Sequence, residues 1–349
     1  MTYIHKITTA SPKNVYSQSE LEKLMHEVYQ FNTEKEERLM RMIYHKSGID
    51  KRKSVIDDFL QFFKSDIPPS LEERIDVFKD KGLALAKNAA DSCLVDEDRS
   101  SITHIITVSC TGISAPGIDI DLIQLLELQH TTVRTTVNFM GCYAAFHALR
   151  LADQICKSTP KSKVLIVDVE LCSLHFQNKT DDDNLLANTL FADGAAAILL
   201  SSDKRTDSLF EIDDFASRLS FQGKKDMAWD LSSTGFQMKL STYVPRLIEQ
   251  DIKVLLDDVL NDKNIQRDQL RWAFHPGGQR ILTSIAKALS IDLEDLQPSF
   301  EVLKENGNMS SVSILFVLKK ISQINEDNPI FAAGFGPGLT MEAMTLNRV

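Results

Sequence analysis

Apolar positions along the 349-residue chain recur at two periods, and the change from one to the other divides it. Through the first hundred residues the period is mostly helical. Leu21, Leu24, Met25 and Val28 form an i, i+3, i+4, i+7 stripe behind Ser17 and Glu20, which are spaced as a capping box. Ser70 and Glu73 repeat that signature after Pro68 and Pro69 and predict a helix to about Leu94. From there strands and helices alternate. "ITHIITVSC" (Ile102 to Cys110) predicts a strand, "GIDIDLIQLLEL" a helix, and the β-branched "TTVRTTV" (Thr131 to Val137) a buried strand. The alanine- and leucine-rich stretch after Gly141 predicts a helix sunk in a core, followed by the strands "KVLIVDVE" and "GAAAILLSS". A polar segment from Ser201 to about Trp229 marks an internal boundary. Beyond it come a helix in "YVPRLIEQDIKVLLDDVL", the strand "LRWAF", helices after "HPGGQRIL" and through "SSVSILFVLKKI", and a last strand in "NPIFAAGFGPG". The alternation implies a layered α/β fold, and the length allows two halves of comparable size, 1–205 and 206–349.

Composition narrows the function classes. A formal net charge of -10 argues against a general nucleic-acid binder, which needs a basic surface to neutralise phosphates. "MTYIHKITTASPKNVYSQ" has no apolar core of a secretory signal, and runs such as "GAAAILL" are too short to span a bilayer, so the expectation is a cytoplasmic protein without a membrane span. The five cysteines contain no CxxC pair and no neighbouring His-x-x-x-His, so no metal site is expected. Free thiols are expected instead, with Cys93, Cys156 and Cys172 as small buried hydrophobes.

Cys142 stands apart. It falls where the strand ending in "VNFMG" hands over to the buried helix, and Gly141 before it permits a sharp turn. A helix amino terminus presents free N–H groups and the positive end of the dipole, which favour a thiolate. On its own this pattern fits a nucleophile and a packed core thiol equally. His275, at the end of "LRWAF" and before Pro276, Gly277 and Gly278, occupies a place where α/β folds put functional groups, although a hydrogen-bonded turn histidine fits as well. Asn308 precedes Ser310, Ser311 and an apolar helix, where asparagine is more often a cap than a catalytic residue.

Five segments in order, "MGCYAAFHALRLA", "LFADGAAAILLSSD", "WAFHPGGQRIL", "GNMSSVSILFVL" and "GFGPGLTME", resemble the landmarks of the type III polyketide synthases, the chalcone and stilbene synthase family. The resemblance runs from "KSGIDKRK" to the carboxyl terminus and implies a thiolase-like fold of two similar α/β halves forming a layered αβαβα core. It implies that Cys142 takes an acyl group from a starter acyl-CoA, and that His275 and Asn308 work beside it. His275 would partner the thiolate and, with Asn308, donate to the thioester carbonyl of malonyl-CoA. Decarboxylation leaves an enolate, which two donors stabilise without a metal. The enolate attacks the Cys142 thioester, and repeated cycles build a chain that cyclises to a pyrone, a resorcinol or a similar product. No cofactor beyond coenzyme A thioesters is expected, and the family implies a homodimer.

The resemblance also assigns a pocket. Phe191 matches one gating phenylalanine, and the second gating position falls on Met238, a departure from the plant enzymes. Ala115 replaces a bulky residue on a loop facing the partner subunit, and His175 replaces a smaller hydroxyl residue, so a non-plant product is expected. Glu170 and Ser310 match a network that steers cyclisation, with Cys110 in place of its threonine. For coenzyme A phosphates, Lys46 and Arg41 in "ERLMRMIYHKSGIDKRK" and Arg280 after Gly277 and Gly278 are the candidate cations. Two rivals stand beside this reading: a ketoacyl synthase that uses acyl carrier protein, and a non-catalytic thiolase-fold partner subunit.

Overall fold

The computed structural model describes residues 1–63, 67–260, 263 and 265–349. Its strands, in chain order, are β1 (Thr2–Ala10), β2 (Asn14–Ser17), β3 (Lys51–Ser54), β4 (His104–Ser109), β5 (Val133–Asn138), β6 (Lys163–Leu171) and β7 (Asp193–Ser201). Then follow β8 (Phe210–Leu219), β9 (Met227–Ser232), β10 (Gly235–Leu240), β11 (Arg271–Phe274), β12 (Ile330–Gly336) and β13 (Thr340–Arg348). Nine of them form one sheet in the order β11-β12-β13-β8-β1-β7-β6-β4-β5, and β9 pairs with β10 and β2 with β3 apart from it.

The order contains an internal repeat that is not visible in the residues. In the first half β4 runs parallel to β6, β6 antiparallel to β7, and β7 antiparallel to β1. In the second half β11 runs parallel to β12, β12 antiparallel to β13, and β13 antiparallel to β8. The two sets match strand for strand, and they meet where β1 and β8 pair antiparallel through Thr2–Ile212, Tyr3–Glu211 and Ile4–Phe210. Only β5 lacks a counterpart. Each half also threads one apolar helix into the middle, Ala144–Ser158 from the first and Val312–Ser322 from the second, and these share one core with strands of both halves. A second core lies under the outer helices of the first half, among them Leu83–Cys93, and a third under Val244–Leu260 and Gln279–Leu289 of the second. Burying apolar faces on both sides of each half-sheet produces the five layers.

Both capping boxes are present, with Ser17 and Ser70 accepting from the backbone N–H of Glu20 and Glu73. Three expectations change. β1 interrupts the helical first hundred residues and lies at the centre of the sheet, concealed because it buries polar side chains such as His5, which bonds to Ser208 and Ser201. The polar segment after Ser201 holds β8, a central strand that exposes Asp213, Asp214, Ser217 and Leu219, so the connection between halves narrows to residues 202–209. The "TTVRTTV" strand is an exposed edge, with Val133, Arg134, Thr136 and Asn138 facing outward. β-branched residues favour any pleated surface, so the run alone did not fix its depth. No helix among the described residues is long and apolar enough to cross a membrane.

Candidate active site

Cys142 is placed by an over-determined turn. The chain leaves β5 through Phe139 and Gly141, both at positive φ, 60° and 94°. A side chain on Gly141 would sit 2.1 Å from Cδ of Pro337, so this loop closes only around a glycine. Cys110 clamps the Gly141 peptide: its Sγ accepts from the Gly141 N–H at 2.9 Å and contacts the carbonyl oxygen at 3.5 Å. The Gly141 carbonyl also accepts the Ala144 N–H at 2.9 Å, which starts the central helix. Cys142 therefore lies two residues ahead of the first helical residue.

Its electrostatics differ from the helix-terminus expectation. Cys142 is buried, and desolvation pushes its thiol up to about 12, against the opposing help of a Ser310 hydrogen bond. Burial outweighs the helix terminus because the charge would have almost no solvent. The group that can change this balance is His275.

His275 follows β11 directly, with its N–H donating to the Ala333 carbonyl of β12 at 2.8 Å and its carbonyl accepting from Gly277 at 2.9 Å. Burial lowers its imidazole to about 3. Neither ring nitrogen has a hydrogen-bond partner among the described residues. A buried turn histidine normally satisfies at least one nitrogen; this one holds both ready for something else.

Asn308 does not cap the following helix, whose preceding residue is Ser311. Its backbone instead forms a bridge with Phe191: the Asn308 N–H donates to the Leu190 carbonyl, and the Ala192 N–H donates to the Asn308 carbonyl, each at 2.8 Å. Phe191 of the first half and Asn308 of the second are thus locked side by side. The Asn308 side chain donates to the Gly277 carbonyl at 3.2 Å and accepts from the Ser310 N–H at 2.9 Å. One amide hydrogen stays free.

Cys142, His275 and Asn308 line one cavity of ≈ 30 Å³, with Cys110, Phe191, Met238 and Ser310. Gly277, Leu240 and Ile281 continue from it into a larger groove of ≈ 380 Å³, whose lining includes Gly278, Lys46 and Arg280. Both cations are exposed, and neither forms an ion pair among the described residues. Arg41 lies outside that lining, bound to Glu37 at 2.7 Å and to His26 at 3.2 Å.

The remaining assignments separate by depth. Glu170 is fully buried behind the cavity and accepts from the Cys110 N–H at 2.9 Å, from the Thr111 hydroxyl at 2.7 Å and from the Ser311 hydroxyl at 2.7 Å. Ser310 lies beside both groups and favours the charged form of each, lowering the Glu170 and Cys142 pKa values against the effect of burial. Cys110 thus meets Glu170 through its backbone, and Thr111 supplies the hydroxyl. Ala115 is exposed on the loop after β4, away from this cavity. His175 is buried and does not line the Cys142 cavity. Cys172, expected as a plain core thiol, does line it, as do Trp229 and Pro337. Cys172 and Trp229 carry no sequence signal, because only the folding of distant segments brings them here, whereas Pro337 lies in the "GFGPGLTME" landmark.

Comparisons with known proteins identify the family and the fold. Residues 2–204 match the family described as chalcone and stilbene synthases, N-terminal domain, and residues 214–349 match its C-terminal domain. The chain is 31% identical over its whole length to the probable polyketide synthase 1 of Dictyostelium discoideum, although it spans only 11% of that much longer protein. It is 30% identical, over 98% of this chain and 90% of the relative, to the alpha-pyrone synthesis polyketide synthase-like Pks18 of Mycobacterium tuberculosis. The crystal structure of the C-terminal type III polyketide synthase domain of Steely1, from Dictyostelium, superposes with a TM-score of 0.91 at 29% identity, covering 100% of this chain and 99% of that one. A polyketide synthase of the brown alga Ectocarpus siliculosus gives a TM-score of 0.91 at 26% identity, covering 100% and 98%. With both domains matched in order, and a thiolase-like fold shared along the full length, the chain belongs to the chalcone and stilbene synthase family, the type III polyketide synthases.

Proposed function

We propose that the protein is an acyltransferase that condenses a starter acyl-CoA with malonyl-CoA at Cys142 and releases a small cyclised polyketide. The observation that carries this reading is the meeting of Cys142, His275 and Asn308 in one buried cavity, at the foot of a groove whose lining includes two cations without an ion pair among the described residues. Lys46 and Arg280 would meet coenzyme A phosphates, and the mostly apolar groove would take the pantetheine arm.

In loading, the Cys142 sulfur bonds to the acyl carbonyl carbon and the bond to the coenzyme A sulfur breaks. His275 takes the thiol proton and passes it to the departing sulfur, so the buried pair never carries net charge. In extension, malonyl-CoA loses carbon dioxide, and its thioester oxygen carries the enolate charge. The His275 N–H and the free amide hydrogen of Asn308 donate to that oxygen. The enolate carbon then bonds to the acyl carbon as the bond from that carbon to the Cys142 sulfur breaks. The sulfur leaves as a thiolate and takes up one solvent proton through His275, which restores the thiol, while the extended chain stays on coenzyme A until Cys142 is reloaded. Removing one such donor costs about 10²–10³ in rate. After two extensions, attack of an enol oxygen on the thioester carbon breaks the carbon–sulfur bond, releases coenzyme A as its thiol with the enol proton, and closes a pyrone, the product class in the printed name of the mycobacterial relative. No cofactor beyond the thioesters enters this scheme. The exposed edge strand β5 and the Ala115 loop suit the homodimer expected of the family, and free thiols together with coenzyme A substrates suit the cytoplasm.

Intact-protein mass spectrometry after mixing with acetyl-CoA tests the first step. One acyl group should appear on the wild type and none on Cys142→Ala. Equal labelling of both would reject Cys142 as the nucleophile.

A further inference from the structure

The helix Asp182–Leu190 ends beside the active site, with Phe191 as its cap. The last carbonyls of a helix have no donor within it. Here each of them finds one elsewhere. The Leu190 carbonyl accepts the Asn308 N–H at 2.8 Å. The Thr189 carbonyl accepts from the side-chain amide of Gln18 at 3.0 Å. The carbonyls of Asn188 and Phe191 both accept from Nη1 of Arg52, each at 2.7 Å.

Arg52 reaches this point from β3. It is buried and forms no ion pair among the described residues. A guanidinium buried without a carboxylate is costly, and the negative end of the helix dipole takes the carboxylate's place. Its Nε donates to Oε1 of Gln18 at 3.0 Å, and its guanidinium carbon lies 5.9 Å from the centre of the Tyr44 ring. The stem runs through a gap that a glycine leaves open. A Cβ on Gly307, where φ is 72°, would lie 2.9 Å from Cγ of Arg52 and 2.9 Å from the Leu190 carbonyl oxygen. The guanidinium therefore caps the helix immediately beside Asn308.

Asn308 inherits its place from that helix end. Its backbone is pinned between the Leu190 carbonyl and the Ala192 N–H. Without the guanidinium, two carbonyls would be left with no donor, and the last turn would have to rearrange to satisfy them. Cys142 and His275 are held independently, by the Gly141 turn and by the pairing of β11 with β12.

We propose that Arg52 is a positioning residue for chain extension: it fixes the end of the helix Asp182–Leu190 and, through the Leu190 carbonyl, aims the free amide hydrogen of Asn308 at the enolate oxygen. This rests on the synthase reading above, in which Asn308 serves decarboxylation while Cys142 and His275 serve loading. Lysine is no substitute, because a single ammonium cannot reproduce the planar fork that joins Gln18 to two carbonyls.

Two rates test this: carbon dioxide release from malonyl-CoA, and single-turnover acetylation of Cys142 by acetyl-CoA. They are compared in wild type, Arg52→Lys, Gln18→Leu, Asn308→Ala and the double variant Arg52→Lys/Asn308→Ala. Arg52→Lys should slow carbon dioxide release by about 10–100-fold, as a displacement of about 1 Å would, with acetylation close to wild type. Gln18→Leu, which leaves the guanidinium in place, should slow the same step by less. In the Asn308→Ala background, Arg52→Lys should cost almost nothing further, because the amide it aims is gone. Equal loss in both rates, or a full additional loss in the double variant, marks a merely structural residue and overturns the proposal. So does unchanged carbon dioxide release in Arg52→Lys. Should that variant not fold, Gln18→Leu decides alone: unchanged carbon dioxide release, or equal loss in both rates, overturns the proposal. A wild type that neither releases carbon dioxide nor takes up an acetyl group is a different result: it rejects the synthase reading, and this proposal with it.

Discussion

Gly141→Ala is the sharpest test of how the backbone serves the chemistry. The native φ of 94° is a region that L side chains rarely adopt, and the new methyl would lie 2.1 Å from the Pro337 ring. Holding a non-glycine residue there costs about 1–3 kcal/mol, and forcing a methyl into packed atoms about another 1–3. For a chain of this length the unfolding entropy is about 0.7 kcal/mol per degree, so a loss of about 2–6 kcal/mol lowers the melting temperature by about 3–8 °C. The functional loss is larger. Either the turn or Pro337 must move, and a displacement of about 1 Å at a reacting atom costs on the order of 10² in rate. Calorimetry paired with the rate of Cys142 acylation reads both effects. Cys142→Ala makes no such backbone demand and should melt close to the wild type. A Gly141→Ala protein that melts within a degree of wild type and acylates at the same rate would refute the argument.

Three further perturbations address the charges. His275→Gln removes the cation that can offset a buried thiolate. An opposite charge at ~4 Å in surroundings of effective dielectric ~20 is worth about 4 kcal/mol, about three pKa units. Iodoacetamide alkylation of Cys142 should therefore inflect at lower pH in wild type than in the variant; identical profiles would deny the coupling. Asp168 and Glu170 share the single Ser311 hydroxyl, at 2.9 and 2.7 Å, and two carboxylates buried side by side favour a proton held between them. Burial and the neighbouring Glu170 raise the Asp168 pKa, so the native state binds a proton that the unfolded chain releases above about pH 4, and stability falls as pH rises toward the native value. Asp168→Asn should gain on the wild type by up to about 1.4 kcal/mol per pH unit above pH 4, and parallel stability curves would contradict the shared proton. Charge reversal at Lys46 and Arg280 should raise the KM for malonyl-CoA with little change in kcat and flatten its salt dependence. An unchanged KM would remove them from the coenzyme A site.

The sequence was most informative where chemistry needs special backbone. Cys142, His275 and Asn308 each sit beside a glycine turn at the edge of a strand or helix, and such turns leave a local mark. Lys46 and Arg280 were legible as cations beside those segments, whereas Arg41, equally close in sequence, projects from the other side of its helix to Glu37. Residues whose roles depend on distant partners left no mark. Trp229 reaches the Cys142 cavity because a hairpin from the second half lays it against Cys110 of the first, and Ser311 meets Glu170 because a central helix brings it under β6. β1 was hidden for a related reason: its polar residues are buried against partners two hundred positions away, which erases the alternation that usually signals a strand. The pseudo-repeat of the two halves likewise resides in strand order, not in shared residues.

The central claim, a condensing synthase that works from coenzyme A thioesters, meets its most direct test in product analysis. Purified protein, acetyl-CoA and malonyl-CoA, with no carrier protein, should yield a pyrone detectable by mass spectrometry, and Cys142→Ala should yield none. No condensation in wild type until a malonyl carrier protein is supplied, or the same product from Cys142→Ala, would contradict it.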